Sequence, residues 1–188
     1  MPHAPASISV ASPETARAVV SFWREAGPAR WFAKDAAFDV EFRERFRAAH
    51  FAAARRELED WLEHAEPALA LILLLDQYPR NAFRGTGHMY ATDGLALAYA
   101  RRSLCFLERI EPALRGFVCL PFMHAEDLAV QEESVALYAR EVPASLHWAV
   151  EHRDIIRRFG RFPHRNGALG RTSTSEEERF LDEGGFGG

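Results

Sequence analysis

The sequence predicts an all-α protein of seven to eight antiparallel helices stacked as hairpins, on three observations. Apolar residues recur at helical spacing along almost the whole chain, and no stretch makes a convincing strand. Pro, Gly, Ser, Thr and Asp fall where helices start and stop. Ser12 followed by Pro13 reads as an N-cap with proline in the first turn, and Val19, Val20 and Trp23 form a stripe that Gly27-Pro28 ends, giving a helix over 13–26. Asp35 caps a second helix over about 36–54, where Phe38, Phe42 and Phe46 recur every four residues and His50 continues their face. After a short amphipathic turn around Leu58, Trp61 and Leu62, Pro67 opens a helix whose run ALALILLLDQ is apolar all round and is expected to halt at Tyr78-Pro79. A helix apolar on every side belongs at the centre of a fold.

Thr92 is expected to cap a helix from 93 to about 108, and Pro112 to open a shorter one to about 119 that Leu120-Pro121-Phe122 breaks. His124 to Arg140 reads as the next helix and Pro143 to Phe159 as another, stopped by Gly160. Ser173, Thr174 and Ser175 each stand three residues before one of Glu176, Glu177 and Glu178, so capping-box spacing is offered in three registers for a last short helix. No Gly-, Ser- or Pro-rich linker divides the 188 residues, so a single domain is expected, with frayed termini that include the GGFGG end.

At 48% hydrophobic and 27% charged the composition is that of a soluble globular protein, and no apolar run reaches the roughly 18 residues that span a bilayer. The opening MPHAPASISV lacks the pattern of a secretory leader, and Cys105 and Cys119 make no disulfide framework, so a cytoplasmic location is expected. A net charge of −4 argues against nucleic acid as a partner. Locally the balance reverses: from His152 to Ser173 six arginines, Arg153, Arg157, Arg158, Arg161, Arg165 and Arg171, face the single acid Asp154. That stretch calls for an anionic partner, either carboxylates of the same fold or a ligand.

Three sets of polar residues stand in apolar surroundings. Asp76-Gln77 ends the most apolar helix, so Asp76 must be paired, with Arg80 and Arg84 in local reach. His152 lies on the inward face of its helix among Trp148, Ala149, Ile155, Ile156 and Phe159. His124-Ala125-Glu126-Asp127 precedes Gln131 and Glu132 at helical spacing. Candidate acid–base residues are therefore His152, His124, Asp76 and Asp127, and candidate ligand contacts are Arg80, Asn81, Arg161, His164, Arg165, Asn166 and Arg171. The His and carboxylate spacing matches no established metal pattern, and neither a phosphate-cradling loop nor a nucleophile elbow occurs, so no metal or cofactor is expected. Three classes stay open: a binding or adaptor domain, an acid–base enzyme acting on a small polar or phosphorylated metabolite, and a polar network that only holds helices together. A small anionic ligand or a protein partner is expected, with monomer or a small homo-oligomer as the assembly.

The blocks WFAKDAAFD, ALALILLLDQYPRNAFRGT, LPFMHAEDLAVQEESV and HRDIIRRFGRFPHRNGALGRTSTSEE resemble successive blocks of the bacterial family known only as domain of unknown function 924, over about residues 20–182. The resemblance implies a tetratricopeptide-like stack of helix pairs without a regular sequence repeat, and it brings no activity. Arg55-Arg56 stands before Glu57-Leu58 where a glycine is more typical of the family, which leaves the end of the second helix open.

Overall fold

Helices form where the sequence marks their starts. The computed structural model describes residues 10–188, so the N-terminal segment read for a leader lies, through residue 9, outside the described residues. Helix α1 (Pro13–Ala26) begins with the Ser12 side chain accepting from the Thr15 amide, and α3 (Ala36–Ala54) with Asp35 accepting from the amides of Ala37 and Phe38. A four-residue helix α2 (Pro28–Trp31), not marked by periodicity, joins them. Then follow α4 (Ala65–Ile72), α5 (Tyr78–Ala82), α6 (Asp93–Ser103), α7 (Arg115–Met123), α8 (Leu128–Glu141), α9 (Leu146–Phe159) and α10 (Ser175–Asp182). Short 3-10 turns connect several of them, and no strand occurs among the described residues.

The apolar helix is central, as its composition requires. Leu71 through Leu75 are fully buried, and α4 packs against α1, α6 and α7. Successive helices then pack as hairpins, α6 on α7, α7 on α8 and α8 on α9. On the other flank Phe22 of α1 stacks between Phe38 and Phe42 of α3, at 5.1 and 5.2 Å between ring centres. The four-residue spacing of phenylalanines along α3 thus forms one wall of the core.

Several expected boundaries move. The central helix does not halt at Tyr78-Pro79. A π-helical turn over Leu73–Gln77 intervenes, with the Tyr78 amide donating to the carbonyl of Leu73, and the chain continues into α5 with Pro79 in its first turn. Proline is tolerated there because a helix's first turn has no partner for its N–H. The wider turn frees backbone carbonyls in the core, and side chains take them up. His50 Nδ1 donates to Leu74 at 2.8 Å, Thr92 Oγ1 to Leu75 at 2.5 Å and Arg80 Nη1 to Asp76 at 2.6 Å.

Thr92 occupies the N-cap position of α6, but its hydroxyl is committed to Leu75 and makes no capping bond. That helix stays α only to Ser103 and tightens into 3-10 turns over Leu104–Arg109. Pro121 does not break α7, which runs on to Met123 although the proline gives up the amide bond to Phe117. The next helix starts at Leu128 rather than His124, with Asp127 accepting from the amides of Ala129 and Val130, so residues 124–127 are a turn. Of the three capping registers at the end, Thr174 with Glu177 is used, in a reciprocal capping box.

The GGFGG end is docked rather than frayed. The Gly185 amide donates to the carbonyl of Phe180 at 2.9 Å, in a turn so tight that a Cβ at Gly185 would lie 2.5 Å from Phe180. The turn delivers Phe186 against His152, with ring centres 4.4 Å apart.

Replacing Thr92 by Val strands the buried carbonyl of Leu75. The expected loss is about 1–3 kcal/mol of unfolding free energy by urea denaturation, and Thr92→Ser, which keeps the hydroxyl, recovers most of it.

Candidate functional site

Asp76 is the most constrained group in the molecule. The π turn aims its side chain out of the core helix, yet the residue is wholly buried. Oδ1 accepts from His124 Nδ1 at 2.7 Å and lies 3.4 Å from Arg80 Nη1, while Oδ2 accepts from Gln77 Nε2 at 2.7 Å. Burial alone would raise its pKa. The Arg80 charge, with the hydrogen bonds from His124 and Gln77, outweighs burial and holds the carboxyl well below the usual carboxylate range.

His124 is set by the turn after α7, which Gln131 pins by donating through Nε2 to the carbonyls of Met123 and Ala125, both at 2.7 Å. Burial and the nearby Arg80 charge lower its pKa against the pull of Asp76, so at neutral pH the ring is uncharged. With Nδ1–H donated to the carboxylate, the lone pair sits on Nε2.

A second carboxylate joins this pair to the arginine-rich segment. Asp93, first residue of α6, accepts from Arg80 Nη1 and Nη2 at 2.8 and 3.0 Å and from Arg165 Nη1 at 3.2 Å. Arg165, buried in the turn after α9, lies between two aromatic faces, 4.6 Å from the centre of Tyr90 and 4.5 Å from that of Phe162. Its Nε has no partner, and neither has the buried Nδ1 of His164 beside it. Both oxygens of each carboxylate accept at least one hydrogen bond, while these two nitrogens have no partner.

Arg80, Tyr90, His124, His164 and Arg165 line one end of a cavity of about 510 Å³, while Asp76 and Asp93 reach it only through the hydrogen bonds they accept from these side chains. Much of the rest of its wall is apolar, from Trp31, Phe117, Leu120, Met123, Val142 and Trp148, with Asn81, Arg84 and Ser145 among the polar residues there. His152 faces it one helical turn from Trp148, donating Nδ1–H to the Trp148 carbonyl at 2.8 Å. Burial pushes His152 down to about 4, and burial together with Arg165 pushes His164 down to about 3. Phe186 and Gly188 of the docked tail cover the polar end.

The structure therefore brings Asp76, His124, Arg80, His152, His164 and Arg165 together. It places other sequence candidates elsewhere. Arg161 forms a two-bond pair with the buried Glu177, at 2.6 and 2.8 Å, which holds Glu177 down to about 2. Arg171 pairs with Glu126 at 2.7 and 3.0 Å. Asn166 donates to Ser173 and Glu177, and Asp127 caps α8. Asn81 reaches the cavity wall but gives its amide to Asp39, as does Arg84, the second arginine expected beside Asp76.

Sequence reasoning about the site missed Asp93 and Tyr90. Asp93 was masked by its position, because an acid in a helix's first turn already has a reason to be there. Among the described residues no group of three His, Cys, Asp or Glu side chains is placed to hold a metal, and no helix is long and apolar enough to cross a membrane.

The family model described as bacterial protein of unknown function (DUF924) matches residues 19–185. A solved structure, the protein of unknown function ATU0120 from Agrobacterium tumefaciens, is 56% identical, covering 91% of this chain and 98% of its own at a TM-score of 0.88. No functionally curated protein matches.

The unfolded chain takes up protons on its histidines near pH 6.5, whereas His50 and His152 stay neutral until about 4 and His164 until about 3 in the fold. Stability contributed by these neutral rings is complete above about pH 6.5 and is lost as pH falls toward 4. Urea midpoints are expected to drop steadily across that window, and less steeply in His50→Gln.

Proposed function

The chain belongs to the bacterial family of unknown function DUF924, whose name assigns no activity, and from its own residues we propose that it binds a small carboxylic acid with an apolar body. One observation carries this: Arg165, which lines the cavity's polar end, has a single carboxylate, Asp93, and shares it with Arg80, which takes two of that acid's bonds against one of its own. An arginine with only a share of one carboxylate favours an added anion. The apolar wall suits a hydrocarbon or aromatic body, and about 510 Å³ falls in the usual size range of small-molecule sites. Arg80 and Arg165 balance Asp76 and Asp93, so an entering carboxylate adds an uncompensated charge. That charge draws a proton onto one of the three neutral imidazoles.

A second reading is a protein partner presenting its carboxylate through the same mouth. It is favoured by the exposure there of Phe32 at 72% and Trp148 at 45%. Two free thiols, Cys105 exposed and Cys119 buried, fit a reducing cytoplasmic setting.

Calorimetric titration with octanoate, octanol and octylamine tests the anion. Octanoate is expected to bind at least tenfold more tightly than the other two, with proton uptake that strengthens binding as pH falls from 8 to 6. Arg165→Met should abolish the preference. Arg161→Ala should lower thermal stability and leave the octanoate Kd alone. Equal binding of the three probes, or unchanged octanoate binding in Arg165→Met, overturns the assignment.

A further inference from the structure

We propose that the same cavity is a hydrolytic centre, with His124 as general base acting on an ester or thioester of the apolar acid. The proposal rests on the reading that the cavity takes such an acid, which would be the product. Three features of the geometry separate the Asp76–His124 pair from a merely structural one. The carboxylate is wholly buried at an irregular turn of the central helix, where an acid is least expected on packing grounds. It accepts from Nδ1 of the ring, so the ring's other nitrogen is the one left for the cavity that His124 lines. The arginine and imidazole side chains of Arg80, Arg165 and His164 line the same end, where an oxyanion would develop.

The step follows from these roles. Nε2 of neutral His124 takes one proton from a water as that water's oxygen bonds to the acyl carbon. The carbonyl π electrons move onto oxygen, and the resulting oxyanion is held at the Arg165 and His164 end. Its collapse re-forms the carbonyl and breaks the bond to the alkoxide or thiolate, which leaves with the proton carried by His124. The balance is ester plus water to acid plus alcohol, or thioester plus water to acid plus thiol. Asp76 is a positioning residue, fixing the tautomer and supporting the transient imidazolium. Gln77 and Arg80 hold Asp76 in turn. Among the described residues no serine or cysteine hydrogen-bonds to His124, so water rather than a side chain is the nucleophile.

The test uses p-nitrophenyl octanoate hydrolysis with octanoate binding measured on the same samples of wild type, His124→Gln and Asp76→Asn. Wild type is expected to hydrolyse the ester, and His124→Gln to lose at least about 100-fold in kcat while still binding octanoate. The wild-type pH profile of kcat/KM should rise to a plateau through an apparent pKa below 6.5. Asp76→Asn, where it folds, should lower kcat more than it changes KM and displace that profile, as a packing role would not. Wild type hydrolysing no faster than His124→Gln, with both binding octanoate, overturns the hydrolytic assignment and leaves the binding reading intact. Wild type failing to bind octanoate overturns both.

Discussion

A single π-helical turn at Leu73–Gln77 conditions everything at the polar end of this molecule. An uninterrupted α-helix through that segment would keep its carbonyls in its own ladder and would leave Pro79 against the carbonyl of Leu75. The extra residue in the turn makes room for the proline and sets Asp76 against His124 and Arg80. It also releases three carbonyls into surroundings without water. Their capture by His50 from α3, Thr92 at the start of α6 and Arg80 from α5 cross-links the helices around the core. The irregularity and the site are the same feature: a buried carboxylate is presented because the backbone there is not regular.

Electrostatics then fixes which groups are free. A buried charge is tolerable only when paired and hydrogen-bonded, and the fold meets that demand almost completely. Arg161 is matched by Glu177, Arg171 by Glu126, Arg158 by Glu176 and Arg84 by Asp39. Arg165 differs, since its one carboxylate, Asp93, is shared with Arg80 and accepts two of Arg80's bonds against one of its own. Desolvation is severe enough that its pKa is lowered, and the aromatic faces of Tyr90 and Phe162 supply part of what a dedicated carboxylate would. An arginine held by ring faces and half an acid is under-paired for a buried cation.

The fold was largely legible in the sequence because its signals are local. Ser12, Asp35, Gly160 and the Thr174–Glu177 box act within a few residues, so their spacing suffices to place a helix end. Pro79 and Pro121 misled, since whether a proline ends a helix depends on what happens to the carbonyl before it, and at Leu75 that was decided by Thr92 from a different segment. Phe186 misled for a related reason: four glycines around it read as a frayed end, while the contacts that hold it come from His152 and His164. The site was legible as a set of residue types, Asp76, His124 and the arginine run, but not as an arrangement. Asp93, which links Arg80 to Arg165, had an adequate local explanation at a helix start.

The surplus of positive charge between residues 152 and 173 shows why local charge is a poor guide to a site. A sum over sequence treats Arg161 and Arg165 alike, although one makes a two-bond pair that clamps the last helix and the other lines the cavity. What separates them is the share of carboxylate each receives, and that share is settled by residues as distant as Asp93 and Glu126. Glu126 accepts from both the Phe162 amide and Arg171, so it fixes the strand-like entry to the turn that carries Arg165. The paired arginines are therefore the frame that holds the under-paired one in place.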